Sequence, residues 1–482
     1  MTSSRFPLAA TGVALMLVLS GCAPMHNNDA SLAQKTPPQQ LDTKLPPELA
    51  HGWPGSDWWR DYHDSQINTL VERSLKDSPD LAVVQQRIKL AQAQTQMQEA
   101  SDGPQMDFSA NIERQKMSQE GVMGPFALTD PAAGTTGPYY TNGTFGLTAS
   151  WDLDLWGKNR SEVEAKVGVM RAKQAELAQA KQVISANVVR LYWDMQTLLA
   201  LKDVKQQTLA AQKNIVDVET KLYARGINSS VDNVEPNIDY VKTQQQLDDI
   251  EGRINIAKAQ LAAITGDAHA ASNIRRVELP KVKSSVPENM GYELLARRPD
   301  LQEAHWYIES SLSSVDAAKA AFYPDVNLGA FLQNDALHLS DLFRGSAQQM
   351  GIIGGFTLPI FDSGRLNANL DIVRAESNLS IASYNKAVVG AVNDVEKAAS
   401  QLNAVAAENQ HQKTVLQATH KLTTLAQARY KAGVISGARF SAATLPELSE
   451  QAKAIQLHGQ WLNADVQLIS ALGGGYHQSG KA

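Results

Sequence analysis

The chain has 482 residues, a net charge of −6 at neutral pH, and a hydrophobic fraction of 43% of which little is aromatic. Ala, Gln and Leu are abundant, a mix that favours helix. The acidic balance, with no long basic stretch, excludes a protein that tracks the phosphates of nucleic acid.

Residues 1–21 read as an export signal. Arg5 is the only charge ahead of an apolar run from Thr11 to Leu19. That run is far shorter than the ~20 residues that span a bilayer. It ends in Leu19-Ser20-Gly21-Cys22, and Cys22 is the only cysteine, so the chain can form no internal disulfide. The tetrad resembles the bacterial lipoprotein box. That resemblance implies cleavage before Cys22, covalent lipid (diacylglycerol and an acyl chain) on Cys22, and no other cofactor. Ala23 stands where the usual inner-membrane retention signal has Asp, which implies the outer membrane.

Beyond this, the chain is an internal repeat. Ser78-Pro79-Asp80-Leu81 matches Arg298-Pro299-Asp300-Leu301 at an offset of 220. Tyr223-Ala224-Arg225-Gly226 matches Tyr430-Lys431-Ala432-Gly433 at an offset of 207. The offset changes once, which makes one loop, in residues 116–142, longer in the first copy. Residues 22–56 read as a lipidated extended segment, 57–267 as the first repeat, 268–288 as a linker, 289–474 as the second repeat and 475–482 as a tail.

Each copy carries two strands and two long helices. In the first, Met106, Phe108, Ala110 and Ile112 alternate with polar residues, and Phe145, Leu147, Ala149, Trp151, Leu153 and Leu155 do the same. This period of two predicts strands over about 104–115 and 143–156. In the second, Val326, Leu328, Ala330 and Leu332 form one strand face and Ile352, Phe356, Leu358 and Ile360 the other, over about 324–333 and 350–362. Asp152 and Asp154 are expected to share the wet face, and Tyr139 and Tyr140 to join an interfacial girdle. The apolar faces have the length of tilted membrane-spanning strands, ~9–11 residues.

Helices are predicted over about 157–225, 230–265, 364–432 and 437–472. The leading helix of each copy, about 68 residues, would be roughly 100 Å long at 1.5 Å per residue. Ile184, Val188, Leu191, Met195 and Leu198 step as a heptad seam, and their mates Ala391, Val395, Ala398, Leu402 and Val405 keep it. Four strands cannot close a barrel, and an open edge in lipid leaves backbone groups unsatisfied, so the strands must pair with those of other copies. The expected fold class is mainly α with a β-barrel part: a duplicated repeat with four membrane strands per chain.

These features together resemble the outer membrane factor family, the TolC and OprM group, and within it the MdtP-like multidrug efflux lipoproteins. The resemblance rests on the lipobox, Trp58-Trp59, Asp152-Leu153-Asp154-Leu155-Trp156-Gly157, Leu294-Leu295-Ala296-Arg297-Arg298-Pro299-Asp300-Leu301, Phe322-Tyr323-Pro324 and Leu358-Pro359-Ile360-Phe361-Asp362-Ser363-Gly364-Arg365. It implies a homotrimer with a 12-stranded β-barrel continued by a long periplasmic α-barrel. It further implies a periplasmic adaptor and an inner-membrane transporter as partners, contact with outer-membrane lipid, and no enzymatic activity. A type I protein-secretion duct or a structural coiled-coil scaffold are the alternatives. By the same resemblance the turns at Gly226 and Gly433 lie at a periplasmic tip and gate. There Tyr223, Asp232 and Glu235 in the first copy face Tyr430 and Arg439 in the second, and a pair between Asp232 or Glu235 and Arg439 would hold the tip shut. No phosphate-binding glycine loop, zinc-type histidine pair or nucleophile elbow occurs.

Overall fold

A computed structural model describes residues 25, 33–35, 50–118, 120–121, 139–281, 285–286 and 292–477. The expected export signal, the expected lipidation site Cys22, most of the long first loop and the end of the tail lie outside the described residues.

Both copies run through the same order of elements. A two-residue strand, β1 (Ala50–His51), precedes a 3-10 turn at Trp58–Tyr62. The first copy then holds α1 (Ser65–Asp77), α2 (Pro79–Ser101), β2 (Gln105–Lys116), β3 (Tyr139–Leu153), α3 (Lys158–Ala224) and α4 (Ser230–Thr265). Strand β4 (Ser285–Val286) lies in the linker and pairs in parallel with β1. The second copy holds α5 (Tyr292–Arg297), α6 (Pro299–Ala320), β5 (Asp325–Ala336), β6 (Gln348–Thr357), α7 (Arg365–Lys431) and α8 (Gly437–Ala471).

Local chemistry sets the boundaries. The repeated Pro-Asp opens α2 and α6: a proline at the first helical position has no N–H to leave unsatisfied, and an acid in the first turn suits the helix dipole. Gly157 and Gly364 take φ of 78° and 85° just before α3 and α7, where the chain leaves a strand and enters a helix. Each of these helices has 67 residues, about 100 Å at 1.5 Å per residue.

The chain divides into two compact units. One holds residues up to Gln34, Lys89–Arg171 and Trp306–Ala382, and contains the main sheet. Its core gathers Val315, Ala318 and Phe322 with Leu366 and Leu370. Gly168 lies so close to α6 that a Cβ there would stand 2.8 Å from Ser310. The Ser310 hydroxyl donates to the Ala165 carbonyl at 2.8 Å.

The other unit holds Lys35–Ile88, Ala172–His305 and Ser383–Ala482. The heptad seam is buried here: Ile184, Val188, Met195 and Leu198 on α3, with Leu191 half-buried, and all five mates on α7. Trp193 is buried against the edge of Tyr62, with ring centroids 5.4 Å apart. The Tyr62 hydroxyl donates to Asp465 at 2.7 Å, and burial, with the Asp465 charge, pushes its pKa well up. Two glutamines hold the linker as a strand would. Gln66 donates to the Arg275 carbonyl at 3.1 Å and accepts the Arg275 N–H at 2.8 Å. Gln196, fully buried, donates to the same carbonyl and accepts from the Val277 N–H, each at 2.9 Å.

Arg298 closes this unit where α6, α7 and α8 meet. Its guanidinium grips Asp300 at 3.0 and 2.7 Å, reaches Asp394 at 3.3 Å, and donates to the Ala471 carbonyl at the end of α8 at 3.3 Å. Only 11% of the side chain is exposed. Removing one partner of such a pair leaves charge uncompensated, so Arg298→Ala should lower stability by about 3 kcal/mol. Arg298→Lys should recover only part of this, because an ammonium cannot make the forked contact. Thermal unfolding of the purified variants checks both.

Candidate channel sheet and helical tips

The four long strands form one antiparallel sheet in the order β2-β3-β5-β6. The two copies are therefore joined through β3 and β5. The register aligns the side chains in rows. One row runs Met106, Ala149, Ala330, Ile352, and the next Phe108, Leu147, Leu332, Met350. The opposite face reads Asp107, Thr148, Phe331, Gly351 and then Ser109, Gly146, Gln333, Gln349. Across these rows one face is apolar in every strand, and the other is mainly polar, with Phe331 and Ile353 as apolar exceptions.

The apolar face is largely exposed. Phe108 is 67% exposed, Met350 71% and Ile352 80%, and every residue of β2 is exposed. In a soluble sheet that face would be covered. Here the loop after β5 covers it only at one end, where Phe343 packs on Phe145 and Leu339 and Leu342 lie over Gly143, and the rest is open, which is the pattern of strands that meet lipid. Tyr139 lies at one end of the apolar face and Trp151 at the other. The stretch between them measures about 40 Å along the strand, or about 30 Å of depth at a tilt near 40°. Next to the Trp151 end, Trp156 stacks on Tyr323 with centroids 5.2 Å apart, and its indole N–H donates to the Pro324 carbonyl at 2.7 Å. This second aromatic belt was not anticipated from the alternation. The Trp151 and Trp156 pair at the strand end was its signal.

Two expectations about these strands fail. Strand β6 ends at Thr357, so Leu358 and Ile360 lie beyond the ladder. Pro359 supplies no N–H to extend it. Asp154 does not continue the wet face of β3. The strand ends at Leu153, and the Asp154 carboxylate accepts the N–H groups of Asn159 and Arg160 at 3.3 and 3.0 Å. It caps the start of α3, where four N–H groups have no helical partner.

The other end of each long helix turns back through a glycine. Gly226 and Gly433 adopt φ of 70° and 71°, the left-handed C-cap conformation. The Gly226 N–H donates to the Tyr223 carbonyl and the Gly433 N–H to that of Tyr430, both at 2.9 Å. Ile227 and Val434 close the longer bond of the same motif, onto Leu222 and Arg429.

The two turns differ in their side chains. In the first, Ser229 and Asp232 form a capping box at the start of α4. Thr220 donates to Asn233 at 3.0 Å, and Asn228 donates to Glu219. In the second, Ser436 accepts the Arg439 N–H at 3.3 Å, and an arginine at that position cannot complete the box. Tyr430 instead stacks on Phe440, with centroids 5.3 Å apart and planes 8° from parallel. Tyr223 is half exposed, and Glu235 and Arg439 are exposed. Among the described residues no ion pair joins Asp232 or Glu235 to Arg439 within the chain: Asp232 is held by its cap.

Among the described residues no helix is long and apolar enough to cross a membrane, and no cluster of three or more His, Cys, Asp and Glu could hold a metal. The membrane argument rests on the sheet alone.

The sequence pattern of the outer membrane efflux protein family matches residues 70–267 and 290–474. The chain belongs to the outer membrane efflux protein family. The two matched segments are the two copies. Among relatives, the multidrug resistance outer membrane protein MdtQ of Escherichia coli O157:H7 is 57% identical, over 96% of this chain and 97% of its own length. MdtP of Shigella flexneri, the kind the sequence motifs resemble, is 36% identical over 95% and 94%. Of solved structures, the CmeC outer membrane channel of Campylobacter jejuni superposes with a TM-score of 0.82 at 20% identity, covering 94% of this chain and 96% of CmeC. The outer membrane protein VceC of Vibrio cholerae gives 0.76 at 27%, covering 87% and 99%. The family is one of transport ducts, and the exposed sheet is the part of this member built for a membrane.

The tips generate two tests. A Cβ at Gly226 or Gly433 would meet nothing within 4 Å, so replacement by alanine costs only the left-handed backbone. Each change should lower stability by about 1–2 kcal/mol, read from thermal unfolding. The Asp232 carboxyl is held below its ordinary range by hydrogen bonds from the Ser229 hydroxyl and then the Ser229 N–H. A lowered folded-state pKa contributes stability above the unfolded carboxyl value, ~4, that is lost as pH falls through the folded one. Amide exchange, corrected for intrinsic rate, should show the start of α4 opening in acid while the start of α8 does not. Asp232→Asn should abolish that difference.

Proposed function

We propose that this chain is the exit duct of a tripartite efflux system, a homotrimer held in the outer membrane that passively releases drugs or other small toxic compounds. One observation carries the reading: a four-stranded sheet, apolar and largely exposed on one face, whose edges at β2 and β6 find no partner strand among the described residues. In lipid each unpaired N–H or C=O costs several kcal/mol, so the edges must meet those of other copies. Three copies give twelve strands, enough to enclose water rather than a packed interior. The 67-residue helices, entered directly from β3 and β6, would line the continuation of that pore. The names of the MdtQ and MdtP relatives favour multidrug efflux over protein secretion. Energy is left to an inner-membrane transporter, reached through a periplasmic adaptor.

The lipid anchor on Cys22 belongs to this proposal. The Ala33 N–H donates to Asn378 at 2.9 Å, on α7 and 13 residues past its start at Arg365. The eleven residues from Cys22 to Ala33 reach at most about 40 Å, enough to bring an acyl chain to the leaflet beside the strand ends. Purified protein should give stepwise ion conductance in planar bilayers and run as a heat-modifiable oligomer. Protein that stays soluble without detergent and conducts nothing would overturn the channel. Labelled palmitate should enter the protein and not its Cys22→Ser variant; label on the variant would sink the anchor.

A further inference from the structure

We infer that the junctions where β3 and β6 hand over to α3 and α7 form a docking surface for anionic phospholipid, in the leaflet at the helix-bearing end of the sheet. The inference rests on the outer-membrane reading above and deepens it by naming the headgroup charge that this end of the sheet selects.

The surface begins where the apolar face stops. Trp151 closes that face, and its indole N–H donates to the Asp102 carbonyl at 3.0 Å. Past it the chain keeps large apolar side chains in the open. Leu155, Trp156, Tyr323 and Ile360 are exposed, and Phe361 is 86% so. They continue a face that meets lipid, and aromatic residues collect at the depth where hydrocarbon gives way to headgroups.

Cations follow at once. Lys158 is the first residue of α3, Arg160 the third, and Arg365 the first of α7. Lys158 and Arg365 are repeat mates, 207 apart, so both copies place a cation here. All three are exposed, and among the described residues none of them joins an ion pair.

The position is unfavourable for a cation. A helix start carries partial positive charge, so acids are preferred there. Asp80, Asp232 and Asp300 stand in the first turns of α2, α4 and α6, whereas α3 and α7 carry no acid in theirs. The acids of the junctions are committed to backbone. Asp154 accepts from Asn159 and Arg160, and Asp362 from Gly364 and Leu366 at 3.0 and 2.8 Å. Those caps close the helix ends to a ligand, so the site is made by the cationic side chains and not by the helix ends. Asp152 and Asp325 belong to the polar face of the sheet.

Both halves of a lipid are therefore matched. The apolar side chains suit acyl chains, and the cations stand within one helical turn of the junction, about 5 Å, where phosphates lie. A free phosphate would leave Leu155 and Phe361 in water. A zwitterionic headgroup has no net charge for the cations to attract.

Native mass spectrometry of the delipidated protein in neutral detergent tests this. The probes are phosphatidylglycerol and phosphatidylcholine with the same acyl chains, in equal amounts. Phosphatidylglycerol should be retained several-fold over phosphatidylcholine. Lys158→Gln, Arg160→Gln and Arg365→Gln together should bring the ratio near one without loss of phosphatidylcholine. Lys158→Arg, Arg160→Lys and Arg365→Lys together should keep the preference. Lys116→Gln, at the Tyr139 end of the sheet, should leave it unchanged. Equal retention of the two lipids by unmodified protein that conducts in bilayers overturns the inference and leaves the channel standing. A preference that survives the triple glutamine change, or that falls with Lys116→Gln, overturns it as well. Protein that neither conducts nor retains either lipid sinks the channel reading together with this one.

Discussion

The whole molecule answers to one constraint: backbone hydrogen-bonding groups cannot be left open in hydrocarbon. A sheet of four strands has two edges, here β2 and β6, and β2 is exposed along its whole length. Chain length does not relieve this, because the residues that might have supplied more strands went into helices. The chain's long helices follow from the same fact: a strand that must stand next to a foreign strand needs support that begins where the membrane stops. Gly157 and Gly364 make that handover within a few residues.

Duplication then allowed the two halves to diverge where symmetry was not needed. The cap positions at the tips show it. Ser229 and Ser436 occupy the same place and make the same first hydrogen bond. Three residues on, Asp232 completes a box and Arg439 cannot. The second turn has an aromatic stack where the first has Thr220 and Asn233. The acid-and-base contrast visible along the chain is therefore first a contrast in how two helices begin. Any role in gating is built on top of that.

Much of this was legible beforehand, for physical reasons. Period-two alternation is strong where one face meets lipid and the other water, so all four strands showed. Long helices free of proline and closed by glycine showed for equally local reasons. Failures occurred where a local signal was ambiguous. Asp154 continues the alternation of β3 in sequence, yet its carboxylate is better used on the open N–H groups of α3. Leu358 and Ile360 keep the period of β6, but Pro359 ends the ladder. Gln66, Gln196 and Arg298 could not be placed, because their partners lie many positions away and no periodicity marks a side chain that substitutes for a strand. The strand order was also hidden: alternation shows that a strand exists and is silent on which neighbour it takes.

The contact of α3 with α6 inside the chain needs little apolar bulk, and that has a cause. Inside the chain, α3 and α6 meet through Gly168, Ala165 and Ser310, with a hydroxyl bonded to a carbonyl. Close packing of small residues suffices there, because the chain already holds the two helices near each other. Between copies, association must also offset lost translational and rotational freedom, several kcal/mol or more. Apolar area is the general means, at roughly 25 cal/mol per Å² removed from water. At the repeat mates of Ala165, Ser310 and Ala317 the chain carries Ile372, Leu90 and Met97, which are larger, apolar and exposed.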